Sequence, residues 1–401
     1  MLSVEEAKEK IRSLVSPLSQ EWTSVESAIG RAVAQPIVAR RTLPPWDNSA
    51  MDGYALRSVD TSGAPVRLQV QETIFAGHLP TRKIGKGQCS RIMTGAPMPQ
   101  GADAVVMQEK VRITSESSEV EILEAALPRS CVRDRGEDAR EGDVLLPQHA
   151  SLGIPEAALL WAQGILQVPV PRQPQVAILA TGDELCRADE EPNGRIVDTN
   201  SPSLAAAILR LGGLPRKLGI AKDNLDEISK RLREATTADG VLVCSGASVG
   251  ERDFARKALE AIGAQIHFWR VAIKPGKPIA VATLGQSLIF ALPGNPTSSL
   301  VCFELFVRPA LRRMMGHQEP DPVPVSARSE VSLEKKAGLT HFVRVRARWD
   351  RNDLWATPLA SQTSGAIRSA ASATHLLIFP APATRLNAGD SVQLLPLSWV
   401  G

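Results

Sequence analysis

The spacing of apolar residues changes character several times along the chain. At the start, Ala7, Ile11, Leu14, Val15 and Leu18 recur every three or four positions with charged residues between them. That period predicts an amphipathic helix over 4–18. From about residue 40 the period falls to two. Val66, Leu68 and Val70 alternate with polar residues, as do Val111 and Ile113, then Val120 and Ile122 across a polar turn. Such runs predict a β-rich module over 40–138. A Gly142-Asp143 turn, a helix over 155–162 and a proline-punctuated stretch over 169–174 follow.

Beyond residue 173 short, fully apolar runs alternate with amphipathic ones. Strands are predicted at 176–180, 217–221, 241–244, 265–269, 279–283 and 287–292. Helices are predicted at 202–211, 225–235, 253–262 and 297–315, the last kinked by Pro309. In the 225–235 helix Asp226/Lys230 and Glu227/Arg231 pair across one turn. The alternation predicts a doubly wound α/β domain with helices on both faces. After residue 318 strand-like runs return at 342–345, 375–379 and 391–395, separated by Gly and Pro, as in a small β-barrel or sandwich. The fold class expected is therefore α/β plus β. An N-terminal helix (1–20) packs on the α/β domain (173–318). A small linking domain (21–39 and 139–172) carries the inserted β-rich module (40–138), and a C-terminal β domain (319–401) completes the chain.

The composition narrows the function classes. Hydrophobic residues make up 43% of 401 and charged residues 22%, which suits a soluble globular protein of several domains. A net charge of only +3 gives no nucleic-acid surface. Five cysteines with no Cys-x-x-Cys pair argue for reduced thiols over a disulfide framework or a zinc site. The N-terminus lacks a basic stretch followed by an apolar run, and no apolar run approaches the ~20 residues of a membrane span. The expected location is the cytoplasm, with no membrane partner.

The candidate chemistry lies where apolar strands end. In an open parallel sheet, loops at the carboxyl edge border the ligand. They read Ala-Thr-Gly-Asp-Glu-Leu (180–185), Val-Asp-Thr-Asn-Ser (197–201), Cys-Ser-Gly-Ala-Ser-Val-Gly-Glu-Arg-Asp (244–253), Ile-Lys-Pro-Gly-Lys-Pro (273–278) and Leu-Pro-Gly-Asn-Pro-Thr (292–297). Asp183 and Glu184 are adjacent carboxylates at a strand end. They form either a solvated acidic turn or oxygen ligands for a hard cation such as Mg2+. Asp198 precedes a helix for which Asn200 or Ser201 can serve as N-cap; the cap leaves Asp198 itself unexplained, which favours the cation. Gly246, Ser248 and Gly250 lie between a strand and a helix, a setting that suits phosphate. Asp253 is either a helix-start residue or a further polar ligand. Lys274 and Lys277, with Arg270 upstream, suit a tetrahedral oxyanion, or else form a solvated turn. Pro293 and Pro296 stiffen the last turn.

Two further polar, glycine-bearing segments fall in the β-rich module: Pro-Pro-Trp-Asp-Asn-Ser-Ala-Met-Asp-Gly-Tyr-Ala (44–55) and Met-Thr-Gly-Ala-Pro-Met-Pro-Gln-Gly-Ala-Asp (93–103). Together with Arg-Gly-Glu-Asp (135–138), Thr-Gly-Asp-Glu-Leu (181–185), Asp-Thr-Asn (198–200), Lys-Pro-Gly-Lys-Pro (274–278) and Leu-Pro-Gly-Asn-Pro (292–296), they make seven ordered motifs. In these the chain resembles the molybdopterin molybdenumtransferase family, MoeA-type, related to the gephyrin E domain, over essentially its whole length. The resemblance implies Mg2+-dependent insertion of molybdate into adenylylated molybdopterin with release of AMP. It implies a homodimer in which Asp52 and Thr94 complete the cleft from the partner subunit. It assigns Asp183, Glu184 and Asp198 to the cation and the adjoining ligand, and Gly246, Ser248 and Gly250 to phosphate. Lys274 and Lys277 take molybdate or phosphate, and Asn200, Asp253, Pro293 and Pro296 take the cofactor. Asp138, Arg344 and Ser364 are lesser candidates. The chain departs from the family's Ser-Gly-Gly-x-Ser-x-Gly loop at Ser245. A serine there is strained by about 1 kcal/mol if φ is positive, and otherwise only narrows the space beside the ligand. Tungstate in place of molybdate, a non-catalytic molybdopterin-binding scaffold, and a nucleotide pyrophosphatase on the same α/β domain are the alternatives.

Overall fold

The computed structural model describes residues 1–113, 118–245 and 254–400. The chain divides into two compact units, one of residues 1–35, 148–157 and 167–401, the other of residues 36–147 and 158–166. The segments grouped from sequence as a linking domain are shared between them. In the first unit Gln20–Ser24 pairs antiparallel with Gln167–Pro171. In the second, Ile37–Val38 pairs with Val144–Leu146.

The centre of the larger unit is a six-stranded sheet in the order Leu214–Ala221, Gln175–Thr181, Gly240–Ser245, Ser287–Pro293, Ala280–Leu284, Gln265–Trp269. The first four strands are parallel and the last two pair antiparallel. The apolar runs are continuous because both faces are covered. Val176, Ile178, Leu242, Cys244, Phe290 and Leu292 face one core, shared with the helices Val4–Ser13, Asn200–Leu211 and Pro296–Cys302. Ala177, Leu179, Val241, Val243, Ile289 and Ala291 face the other, under Leu225–Ala235 and Phe254–Ala261. This is the doubly wound α/β arrangement.

Several helix boundaries have local causes. Val4–Ser13 starts with a capping box: the Ser3 hydroxyl accepts the Glu6 N–H, and the Glu6 carboxylate accepts the Ser3 N–H at 2.7 Å. Near Pro309 the helix departs from regular α geometry. The helical run Pro296–Met314 contains a π-helical segment, Phe303–Val307, just before it. Widening the helix there accommodates a residue that lacks an N–H and crowds the preceding turn. Buried Glu304 in this segment pairs with Arg308 at 3.1 Å and accepts from the Ser398 hydroxyl, which ties the C-terminal tail to the helix.

The C-terminal part is a closed five-stranded barrel in the order Thr340–Asp350, Asp353–Pro358, Val325–Ser329, Ser391–Pro396, His375–Phe379, the last pairing back onto the first. Ile273–Lys274 adds alongside Thr340–Asp350 in parallel.

The smaller unit holds a second six-stranded sheet, in the order Ala104–Met107, Gly53–Leu56, Gln88–Ile92, Val66–Ile74, Glu119–Ile122, Val111–Ile113. Leu68, Val120 and Ile122 from the alternating runs are buried in its core. Gly53 is there for close approach: a Cβ would collide with the Val106 carbonyl across the ladder. Among the described residues no helix is long and apolar enough to cross a membrane.

Candidate functional site

The sheet order reverses direction between Gln175–Thr181 and Gly240–Ser245, since the chain adds Leu214–Ala221 on one side and Gly240–Ser245 on the other. Ligands of open α/β sheets bind at such a switch point, beyond the carboxyl ends of the strands. A cleft of about 1240 Å3 opens there. Each of the four parallel strands delivers its end to it: Thr181 and Gly182, Asp223, Ser245, and Pro293 with Gly294. The Lys274–Pro278 turn and the 362–364 segment of the C-terminal region also border it. Its volume exceeds the roughly 300–1,000 Å3 usual for small-ligand pockets, which leaves room for a ligand larger than a mononucleotide.

The acidic loops turn out to have separate tasks. Asp183 is exposed and does not border the cleft; its carboxylate accepts the Asp223 N–H at 3.3 Å and so ties two strand ends together. Glu184 does border the cleft, and its carboxylate has no hydrogen-bond or ion-pair partner among the described residues. Its carboxylate folds over Gly182, where an added Cβ would lie 2.7 Å from it, and Gly182 has φ +150. Asp198 lines the cleft and also caps a helix. Its Oδ1 accepts the N–H groups of Asn200 at 3.0 Å and Ser201 at 3.1 Å. The helix begins at Asn200, two residues before the predicted start, and its cap comes from Asp198 instead of Asn200 or Ser201. Asn200 instead donates to the Gly294 carbonyl at 2.7 Å and so fixes the Pro293–Pro296 turn against the cleft wall.

The three acids do not gather. Leu185 pairs with Ile196 and Cys186 with Val197 in a short parallel ladder. Glu184 therefore precedes that ladder and Asp198 follows it, roughly 10 Å apart along the strand direction. Among the described residues no group of three or more His, Cys, Asp or Glu side chains is placed to hold a metal.

The cationic turn is built more tightly. Gly276 has φ +103, and a Cβ there would meet Cys302 Sγ at 2.5 Å, so glycine is required both by conformation and by space. The Cys302 thiol lies 3.6 Å from the Gly276 carbonyl. Lys274 and Lys277 are exposed, border the cleft, and have no acidic partner among the described residues. Arg270 does not border it.

Arg344 is 1% exposed and has no carboxylate partner among the described residues. It donates to the carbonyls of Ser361 and Thr363, each at 3.0 Å, and to Ser369 Oγ at 3.0 Å. These bonds hold the segment that brings Gln362, Thr363 and Ser364 to the cleft, while Ser364 O accepts the Thr297 N–H at 3.1 Å. One guanidinium nitrogen, Nη1, is buried with no protein partner among the described residues. Ser245 is the last residue of its strand, in register with Thr181 and Pro293, and is not in the left-handed region. The strain considered for a serine at this point is absent, and its hydroxyl bears only on the cleft's space. Burial pushes the neighbouring Cys244 thiol up to about 12, so it stays protonated and is no nucleophile at neutral pH.

Gly246, Ser248, Gly250 and Asp253 lie outside the described residues. Asp52 and Thr94 lie in the smaller unit, where Asp52 Oδ1 accepts both the Thr94 N–H at 2.7 Å and its hydroxyl at 2.8 Å. Those bonds, the backbone one foremost, hold the Asp52 carboxyl below its ordinary range. Asp138 is exposed on the same unit. Sequence reading missed Asp223, Gln362, Thr363 and the apolar wall of Leu185, Ile196, Phe254 and Leu339. Asp223 was accessible to the same strand-end rule, because it follows the Leu214–Ala221 strand. The C-terminal residues were not, since only the barrel brings them to the sheet.

Three family models match the chain in succession: the MoeA N-terminal region (domain I and II) over residues 2–164, the probable molybdopterin binding domain over 177–313, and the MoeA C-terminal region (domain IV) over 326–397. The molybdopterin molybdenumtransferase of Nostoc sp. is 37% identical over 419 residues, covering 99% of this chain and 94% of that protein. That of Bacillus subtilis is 34% identical over 403 residues, covering 98% and 94%. The crystal structure of a molybdopterin biosynthesis moeA protein from Pyrococcus horikoshii OT3 superposes with a TM-score of 0.85 at 29% identity, covering 99% of this chain and 100% of that one. With acidic strand ends, a cationic turn and a barrel-borne segment around one switch-point cleft, and relatives aligned over nearly all its length, the chain belongs to the MoeA family of molybdopterin molybdenumtransferases.

Proposed function

We propose that the cleft takes adenylylated molybdopterin and molybdate, transfers the metal to the dithiolene sulfurs, and releases AMP in a Mg2+-dependent step. The observation that carries this reading is the meeting of unpaired opposite charges at one site. Glu184 and the free oxygen of Asp198 border the same cleft as Lys274 and Lys277. A carboxylate-only site would repel a phosphate-bearing ligand, and a cationic one alone would leave the acids without purpose.

The donor set suits Mg2+, which binds through one or two carboxylates together with substrate phosphates and water, with no need for a cage of protein ligands. Glu184 would hold it, and Asp198, farther along the ladder, would meet the adjoining polar ligand. When bound, the ion would neutralise charge on the phosphoanhydride that is cleaved. Lys274 and Lys277 act as point charges that hold the tetrahedral dianion, and the unpaired Arg344 nitrogen adds positive potential. Asn200 and the stiff Pro293–Pro296 turn keep the wall fixed while the ligand is bound. Gly246, Ser248 and Gly250 are assigned to phosphate and Asp253 to the cofactor on the family resemblance alone. The homodimer that the family implies, with Asp52 and Thr94 supplied by the second subunit, belongs to the same reading.

The test is incubation of the purified protein with adenylylated molybdopterin, Mg2+ and molybdate, followed by assay of AMP and of metal-loaded cofactor. Both products are expected, and omission of Mg2+ should abolish both. AMP without metal transfer would favour a pyrophosphatase. Bound ligand with neither product would favour a scaffold.

A further inference from the structure

Between the exposed Lys274 and Lys277 lies a buried residue, Gly276, and the middle of the turn rests there on a helix. A Cβ added at Gly276 would lie 2.5 Å from Cys302 Sγ, with Ile273 Cδ1 next at 3.0 Å. The Cys302 thiol donates to the Gly276 carbonyl at 3.6 Å. That carbonyl belongs to the peptide leading into Lys277. On the far side, the Lys277 carbonyl accepts the Val271 N–H at 3.1 Å. The backbone of Lys277 is thus held before and after, while its side chain is exposed at the cleft.

Cys302 is fully buried in the core shared by the α/β sheet and its helices, and it does not border the cleft. Burial raises its thiol above the ordinary range, so it stays S–H, the form that donates. It stands one turn after Ser298 on the same face of Pro296–Cys302, and Ser298 borders the cleft. Pro296 at the head of the helix borders the cleft too, and the Thr297 N–H donates to the Ser364 carbonyl at 3.1 Å. One helix therefore meets three of the cleft's segments: the 293–296 turn, the 362–364 segment and, through a side chain, the cationic turn.

We propose that Cys302 is a positioning residue: its thiol seats the Gly276–Lys277 peptide and so sets where the Lys277 ammonium stands in the cleft. This inference rests on the reading that Lys277 holds the oxyanion. A lysine stem is long and flexible, so the volume its ammonium samples depends on how firmly its origin is fixed. Without the seat that peptide is free to rotate, the charge spreads over more positions, and a tetrahedral dianion meets less of it. Cys302 touches neither substrate, so the loss falls on molybdate binding and leaves the chemical step and the pterin substrate alone.

The experiment is steady-state AMP release with molybdate varied at saturating adenylylated molybdopterin, on Cys302→Ala, Cys302→Ser, Lys277→Ala and Cys302→Ala/Lys277→Ala. Cys302→Ala should raise the molybdate KM about fivefold, the scale of one neutral hydrogen bond, with kcat within about twofold of the parent. Cys302→Ser keeps a donor beneath the carbonyl and should recover most of that loss. In the Lys277→Ala background Cys302→Ala should add less than about twofold, because the residue it positions is gone. The role of Cys302 is overturned if the alanine variant keeps the parental KM, if serine is no better than alanine, or if the two losses multiply in the double variant. A kcat that falls in step with a rising KM for both substrates would overturn it as well, since that is the mark of a loosened core. If Lys277→Ala itself leaves the molybdate KM unchanged, the oxyanion reading of the turn fails first and this inference with it.

Discussion

Glu184 and Asp183 are neighbours in sequence with different physical situations. Glu184 borders the cleft with a carboxylate unpartnered among the described residues, whereas Asp183 braces the Asp223 backbone outside it. Glu184→Gln should therefore lower AMP release by about 100-fold or more, the scale of losing a cation's charge stabilisation, with unfolding free energy changed by under about 0.5 kcal/mol. Asp183→Asn should have the smaller effect on turnover. Steady-state AMP release and urea melts on both variants check this; equal losses would return Asp183 to the cation site. Lys277→Ala should raise the molybdate KM by about 10- to 150-fold with little change in kcat, since a charge-assisted contact contributes about 1.5–3 kcal/mol. Molybdate titration at fixed pterin substrate measures it.

Single elements carry the site into position. The cap made by Asp198 joins helix stability to cleft shape. Asp198→Ala should cost about 1 kcal/mol in denaturant melts, and Asp198→Asn or Asp198→Ser should restore most of it. If the alanine variant is as stable as the parent, the cap is unimportant and the carboxylate is there for ligand alone. Arg344 works on the 361–369 segment in the same way. Its buried guanidinium satisfies the part-buried carbonyls of Ser361 and Thr363 and the buried Ser369 hydroxyl. Arg344→Met should leave the Thr363 carbonyl without its donor and the Ser361 carbonyl with the Ser369 hydroxyl alone, raise amide exchange in 361–364, and weaken molybdate binding before the rest of the larger unit loosens. Exchange spread evenly over the barrel would contradict that local role.

Across the whole molecule, pH acts on more than the cleft. His317 is 5% exposed; its Nε2–H donates to the Gly30 carbonyl at 3.2 Å, and Nδ1 faces Arg312 at 3.3 Å and Ser151 at 3.1 Å. Burial, then Arg312, hold it down to about 4 against an ordinary 6.5. The unfolded chain thus binds the proton more readily. The stability due to neutral His317 is whole above pH 6.5, declines as pH falls, and is fully lost below about 4, a total on the order of 3 kcal/mol. Denaturant melts from pH 7 to 4 should show that decline, and His317→Gln should flatten it. Reading the chain beforehand worked best where one rule sufficed. Continuous apolar runs between amphipathic helices imply a sheet covered on both faces, and glycine-rich strand ends imply a ligand edge. It worked less well for the π-helical turn before Pro309, and where two distant segments had to meet, as with the barrel-held 361–364 segment, because periodicity records burial and not partnership.

The linear order of residues, through the period of its apolar positions and the chemistry of its turns, was enough to determine an α/β sheet with β-rich companions and the loops that serve a ligand. The tertiary structure decided which acids face the cleft, which one caps a helix, and which C-terminal residues border the same cleft. Those outcomes depend on strand order and ladder register, set by packing between segments far apart in the chain. A side chain's neighbours across a ladder leave no mark in the residues next to it.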